Sequence, residues 1–370
     1  LVLFQIGGLG YMVFIALLAY FLRGKLSIKD RLSLSESLTG APQAELRSYV
    51  RHVLLVTLIV ETTGAALLTV VWGRELGAGR AFYFGVFHSV SAFCTAGFGL
   101  LPDSFCSLRD YALANATIAA LTVAGAIGFF VIYDLTRFTG SLLHGERPLR
   151  LSLHTRLTLT VTAAVAVLGS AFFLVGESSL SHIRMGPRVL AATFQALSAS
   201  TTTGFNSVDI GALSAAGQFV LILLMFVGAS PGGTGGGVKT TTVGVLLAAA
   251  AALLRGQSEA VAFKQRLSSD VVFRAVAVFT LGALVVIGAT LALTLSEHAA
   301  FLQVLFEAVS AFATVGLSTG ITPALSVTGK LVVSLTMLIG RLGPLAVGFA
   351  LLGRPRLTLV RRVEGTAYVG

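Results

Sequence analysis

FQALSASTTTGFN at residues 194–206 decides the reading of this chain, because it returns as FHSVSAFCTAGFG at 87–99 and as FEAVSAFATVGLS at 306–318. Phe87/Phe194/Phe306, Ser91/Ser198/Ser310, Ala92/Ala199/Ala311, Thr95/Thr202/Thr314 and Gly97/Gly204/Gly316 are identical in all three copies. The glycines stand about 110 residues apart, so one large unit is used repeatedly. Each copy is too short, and too polar at its end, to cross a bilayer, yet a full apolar span lies on either side. That pattern predicts a re-entrant half-helix followed by a short extended segment. Non-helical backbone survives at membrane depth only where protein buries it or where it lines a water-filled path.

Working outward, the chain is 55% hydrophobic and only 11% charged, against about 25% charged residues in soluble domains. Apolar runs at 1–22, 49–72, 110–135, 155–175, 217–254, 271–295 and 327–352 predict seven spans. The net charge of +10 does not point to nucleic acid, because its distribution is that of a membrane protein. Basic residues gather in alternate segments, namely Arg23 to Arg51, Arg137 to Arg156, Arg255 to Arg274 and Arg354 to Arg362. Such residues mark the cytoplasmic side. The prediction is a multi-pass protein of the cell membrane, surrounded by lipid bilayer, with these loops and the C-terminus inside. Cys94 and Cys106 read as two unpaired thiols. The six histidines form no metal spacing, and no Ser/His/Asp or Cys/His grouping indicates an enzyme.

A second set of matches lies in the spans that follow each copy. Gly7-Gly8-Leu9-Gly10, Gly125-Ala126-Ile127-Gly128 and Gly340-Arg341-Leu342-Gly343 share a G-x-x-G spacing, and the segment from Gly228 holds the equivalent place in the remaining unit. The expected fold is an all-α membrane protein with pseudo-fourfold repeats of helix–pore loop–helix around one central pore. Residues 1–36 read as the second helix of an incomplete first repeat with its loop, and 37–150 as the second repeat, with its pore loop at 80–99. Residues 151–266 read as the third repeat, with its pore loop at 188–206 and an intramembrane loop at 230–237. Residues 267–370 read as the fourth repeat, with its pore loop at 302–318, and the tail. The spacing predicts roughly 65 residues of a first unit ahead of Leu1, so the sequence reads as starting inside a longer protein.

Thr-x-Gly at the end of each half-helix suits cation selection. A dehydrating cation needs oxygen ligands, which rings of backbone carbonyls provide. Turning successive carbonyls toward one axis demands dihedrals that glycine adopts freely, and the C-terminal end of each half-helix carries partial negative charge toward the ion. The candidate filter is Thr95, Ala96, Gly97, Thr202, Thr203, Gly204, Thr314, Val315 and Gly316, with the ion at Gly97, Gly204 and Gly316. Close helix packing is the alternative role for small residues. It fits Gly7, Gly10, Gly125 and Gly128 better than the filter glycines.

The run 217–254 would be about 57 Å long as one helix, nearly twice the bilayer core. Its middle, Ser230, Pro231, Gly232, Gly233, Thr234, Gly235, Gly236 and Gly237, cannot remain helical. The prediction is a flexible loop below the filter, with the helix resuming at Lys239-Thr240-Thr241-Thr242. A phosphate-binding loop needs Gly-Lys-Ser/Thr, and Val238 interrupts that here. Arg341 lies deep in its span, where burial in hydrocarbon costs about 2.5–3.5 kcal/mol. It is expected to face the pore and touch the Gly-rich loop, or else to pair quietly with an acid or a helix end. Glu61 and Glu307 either attract cations or pair; Asp209 is an outer-mouth candidate; His88 is expected to pack.

FQALSASTTTGFNSVDIG at 194–211, SPGGTGGGVKTTT at 230–242, FEAVSAFATVGLSTGITP at 306–323 and the opening FQIGGLGYM resemble the Trk/Ktr/HKT potassium-transporter superfamily. The short C-terminus looks most like its Ktr-type pore-forming branch. The resemblance implies potassium uptake by a homodimer, filter glycines at Gly97, Gly204 and Gly316, a gating loop at 230–237 and a constriction arginine at Arg341. It also implies a cytoplasmic ring of nucleotide-binding RCK subunits and, in many members, stimulation by sodium ion. A sodium-permeable or sodium-coupled relative and a non-conducting receptor of the same fold are the competing expectations.

Overall fold

Long apolar helices alternate with short inserted ones along the computed structural model, which describes residues 1–8, 46–143, 145 and 150–343. The apolar helices α1 (Leu46–Leu76), α5 (Leu153–Val175) and α9 (Ser269–Ser296) are long enough to cross a membrane. A span of 23 residues rises about 35 Å, against roughly 30 Å of hydrocarbon. Only 33%, 22% and 28% of their apolar windows are buried inside the chain. The remaining faces, such as Leu54, Leu55, Leu58 and Ile59 of α1, point outward, where lipid would cover them.

Each long helix is followed by a short one: α2 (Ala78–Phe93), α6 (Met185–Ser200) and α10 (Phe301–Phe312). Each short helix packs on the long helix before it. Next come α3 (Ala112–Ala126), α7 (Ala215–Val227) and α11 (Val327–Leu342). Here α3 packs on α6 and α7 on α10, so these two helices each brace the next inserted helix, while α11 packs on α10 before it. Phe93, Phe105, Phe194 and Phe205 pack together where the first two described units meet.

Among the described residues, two second helices are interrupted. The break in 217–254 separates α7 from α8 (Thr240–Leu254). The expected uninterrupted span at 110–135 needs correction: α3 and α4 (Phe129–Leu143) meet at a bend of 100°. Gly128 takes φ +95°, and the Phe129 N–H leaves the helix ladder to donate to the Gly232 carbonyl at 3.1 Å. Most of the expected span at 1–22, the basic segment before residue 46, the end of the span at 327–352 and the C-terminal tail lie outside the described residues.

Serine caps begin the second helices in two units, and a glutamate grips each cap. Ser214 caps α7 by accepting the Gly217 N–H at 3.0 Å, while its own N–H and hydroxyl donate to Glu177. Ser326 caps α11 by accepting the Gly329 N–H, and its N–H and hydroxyl donate to Glu297. Each glutamate follows its unit's long helix, so the pair ties that helix to the second helix. The Ser326 hydroxyl and N–H hold the Glu297 carboxyl below the ordinary glutamate value of 4.5. A depressed folded pKa gives stabilisation that is complete above the unfolded value and is lost as pH falls through the folded one. Glu297→Gln is therefore expected to melt below the parent near neutrality in detergent, with the gap closing in acid. A gap that does not change with pH would count against the clamp.

Candidate functional site

All three inserted helices end the same way. In the first, the Thr95 N–H donates to the Ala92 carbonyl and the Ala96 N–H to the Ser91 carbonyl, at 3.1 and 2.8 Å. Thr202 and Thr203 repeat this with Ala199 and Ser198, and Thr314 and Val315 with Ala311 and Ser310. This crossed pair of bonds is the Schellman ending, whose left-handed position is ordinarily glycine. Here it is threonine, with φ of +48°, +57° and +52° at Thr95, Thr202 and Thr314. A β-branched residue held there costs on the order of 1–3 kcal/mol, and such strain concentrates at working sites.

Past each threonine the chain turns through a glycine of positive φ: +70° at Gly97, +91° at Gly204 and +92° at Gly316. The loops also meet one another. A Cβ on Gly97 would lie 2.1 Å from the Thr203 carbonyl oxygen, and one on Gly204 would lie 2.0 Å from that of Val315. Neither position has room for a side chain. The recurring serine fixes the next carbonyl in each copy, Ser91 donating to Phe98 at 2.8 Å, Ser198 to Phe205 at 2.5 Å and Ser310 to Leu317 at 2.7 Å. Thr95, Ala96, Gly97, Thr202, Thr203, Gly204, Thr314, Val315 and Gly316 thus occupy three like-shaped loops. The first two loops, and the last two, touch at their glycines.

Residues 228–239 lie against the threonine side of these loops. The segment closes on itself, with the Ala229 N–H on the Gly236 carbonyl, Val238 on Phe226 and Lys239 on Val227. It also enters the bend between α3 and α4, where Ser230 and Thr234 donate N–H groups to the Ala126 and Gly125 carbonyls, both at 3.0 Å. Carbonyls freed by the bend are satisfied in this way, which accounts for a sharp kink without proline. The Thr234 hydroxyl donates to the Phe93 carbonyl and accepts from Thr95, both at 3.1 Å, and the Gly236 N–H donates to the Thr202 hydroxyl at 2.8 Å. A Cβ on Gly236 would lie 2.6 Å from the Thr314 hydroxyl. Ser230, Pro231, Gly232, Gly233, Thr234, Gly235, Gly236 and Gly237 therefore reach all three loop ends.

The Arg341 guanidinium donates to the Thr234 carbonyl at 2.5 Å and to the Gly7 carbonyl at 2.8 Å. It thereby joins the Gly-rich segment to the helical stretch at the start of the chain. Lys239 begins α8 with φ +82°, and its ammonium donates to the Gly235 and Gly236 carbonyls. Glu61 is buried and accepts from Gln5 at 2.7 Å. Asp209 is exposed and caps its own turn through the Gly211 N–H. His88 is fully buried among Trp72, Phe84 and Phe105. Cys94 and Cys106 are free thiols. Among the described residues no group of His, Cys, Asp or Glu is arranged to hold a metal ion.

Sequence reasoning noted the recurring serine without its role, and it missed the carboxylate clamps. The clamps have a signal: Ser-x-x-Gly at 214–217 and at 326–329, each preceded by a glutamate at the end of a long helix. The packing role of Gly125 is visible in the structure, where an added Cβ would lie 1.8 Å from the Phe93 carbonyl oxygen. Gly340 stands in the same relation to Phe312.

The model of the TrkH family, described as cation transport protein, matches residues 1–354. Ktr system potassium uptake protein B of Vibrio alginolyticus is 35% identical, the match covering 100% of this chain and 80% of the relative. The protein of the same name from Bacillus subtilis is 34% identical over 100% of this chain and 82% of its own length. Potassium/sodium uptake protein NtpJ of Enterococcus hirae is 33% identical over 95% of this chain and 77% of its own. The crystal structure of the potassium transporter TrkH from Vibrio parahaemolyticus superposes with a TM-score of 0.71 at 19% identity, over 94% of this chain and 70% of that one.

Proposed function

The chain belongs to the TrkH family of cation transport proteins, and on that premise we propose that it carries potassium across the cell membrane. The observation that carries this reading is the triplicate loop: three helix ends, each with a left-handed threonine and glycine, meeting glycine to carbonyl. Loops held this way present backbone oxygens at fixed spacing to an ion that has shed water. Thr95 to Gly97, Thr202 to Gly204 and Thr314 to Gly316 form the filter, and the C-terminal ends of α2, α6 and α10 add negative potential.

Below the filter, residues 230–237 with Lys239 and Arg341 form the gate. The basic loops face the cytoplasm. The protein works as a homodimer and receives its regulation from a nucleotide-binding RCK partner subunit. Relatives named as components of a Ktr system support the partner. A second reading, permeation or coupling of sodium, is favoured by the relative named for potassium and sodium uptake.

Flux into liposomes tests the proposal, with potassium or sodium outside and with or without the partner. Potassium entry exceeding sodium entry supports it, equal entry favours the second reading, and no entry with the partner present overturns both. Arg341→Ala is expected to raise potassium flux several-fold in this assay, because a positive charge leaves the path and the Thr234 carbonyl loses its tether. An unaltered transport curve would reduce Arg341 to a structural brace.

A further inference from the structure

The position after the recurring phenylalanine holds a buried polar side chain in every copy: His88, Gln195 and Glu307. In two copies that side chain reaches back to the segment that follows the filter. The Glu307 carboxylate accepts the Ser318 hydroxyl, the Thr322 hydroxyl at 3.0 Å and the Thr319 N–H. The Ser318 and Thr322 hydroxyl oxygens lie 2.7 Å apart, and Ser318 accepts the Gly320 N–H at 2.9 Å. In the copy carrying His88, the Nδ1 side faces the Phe84 carbonyl at 2.8 Å, so Nδ1 carries the proton and Nε2 accepts the Leu100 N–H at 3.2 Å. In the remaining copy, Gln195 is buried with neither amide atom bonded among the described residues, and the hydroxyl of Ser207, the residue matching Thr319, is likewise buried and unbonded among them.

We propose that Glu307 is a positioning residue for ion discrimination, its carboxylate fixing the loop Thr314–Gly316 from behind through Ser318, Thr319 and Thr322. This rests on the filter reading given above. The geometry is specific. Ser310 anchors the Leu317 carbonyl on one side of the loop, and Glu307 anchors residues 318–322 just beyond it. Val315 and Gly316 meet the neighbouring loop at Gly204, and the two anchors hold the rest of the turn in register with that contact. Hydrogen bonds to a buried charge are the stronger kind, and a filter discriminates by holding its oxygens at the spacing of the preferred ion. His88 does the same more weakly with a single bond. Removing the Glu307 strut lets the loop relax toward the smaller sodium ion.

The test compares Glu307→Ala and Glu307→Gln in liposomes by the ratio of potassium to sodium flux and by the KM for potassium. Glu307→Ala is expected to lower the ratio about tenfold and raise KM, while Glu307→Gln, which can still accept, recovers most of both. A ratio equal to the parent's in Glu307→Ala overturns the proposal, as does a failure of Glu307→Gln to recover it. If Glu307→Ala does not accumulate, Ser318→Ala with Thr322→Val removes two of the donors and leaves the carboxylate. That pair is expected to lower the ratio, and parental discrimination in it also overturns the proposal. Gly204→Asp measured alongside keeps the two readings apart. If it conducts normally, the filter reading fails; if it is silent while Glu307→Ala is parental, only the strut fails.

Discussion

Gly204→Asp is expected to abolish potassium uptake while the protein still inserts into the membrane. Two independent penalties act at this residue. Its φ is +91°, a conformation an aspartate side chain rarely adopts. A Cβ there would lie 2.0 Å from the Val315 carbonyl oxygen and 3.4 Å from the Gly316 Cα, so the second and third loops must separate to admit it. The carboxylate would then point its charge at backbone oxygens, where repulsion turns the carbonyls off the axis. Even one displaced layer of ligands raises the barrier to ion entry. A loss of 2.7 kcal/mol in stabilisation already slows passage about a hundredfold. The long helices that drive insertion do not include this position, so abundance in the membrane is expected to match the parent. Uptake of potassium in cells lacking their own systems, with the protein quantified in the membrane fraction, makes the comparison. Normal uptake would sink the assignment of Thr202 to Gly204 as part of a filter.

Why the triplicate loop was legible and other features were not follows from where the determining partner lies. Thr-x-Gly could be read because the strained turn, its glycine and the anchoring serine all fall within one short motif, and the motif appears three times. The break at 228–239 could be read from proline and glycine alone. The bend at Gly128 could not, since 110–135 is an uninterrupted apolar run. The bend depends on Ser230, Gly232 and Thr234, about a hundred residues downstream, to satisfy the Gly125 and Ala126 carbonyls and the Phe129 N–H. The left-handed threonines went unanticipated for a similar reason. Propensity assigns that position to glycine or asparagine, and what meets Thr95 and Thr202 is the distant Gly-rich segment, through Thr234 and Gly236. Glu307 appeared as one acid of undecided role, because its partners lie across the filter loop and not along the helix.

Excising residues 230–237 is expected to raise potassium flux about tenfold or more, the effect of removing roughly 1.4 kcal/mol of barrier. The chain tolerates the cut geometrically, because the segment is a closed loop. Gly228 and Gly237 are so near that a Cβ on the first would lie 2.6 Å from the Cα of the second, and joining Ala229 to Val238 spans little distance. The segment is held by Ser230 on Ala126, Thr234 on Gly125, Phe129 on Gly232, Thr95 on Thr234, Thr234 on Phe93 and Gly236 on Thr202. Six bonds at a net 0.5–1.5 kcal/mol each give roughly 3–9 kcal/mol favouring the closed position, less the chain entropy gained on release. On the proposal that this segment is the gate, one held that firmly is shut in most molecules at rest, which leaves room for a large gain when it is removed. Gly233→Ala checks the result without a deletion. Its Cβ would lie 2.4 Å from the Ala126 carbonyl oxygen, so the segment must shift out of the bend while keeping its length. Flux is expected to rise in both variants, and more in the deletion. Unchanged or reduced flux in both, with normal insertion and normal potassium over sodium discrimination, would make the segment a packing element that seals the α3–α4 bend. In that case the barrier to ions would lie elsewhere along the path.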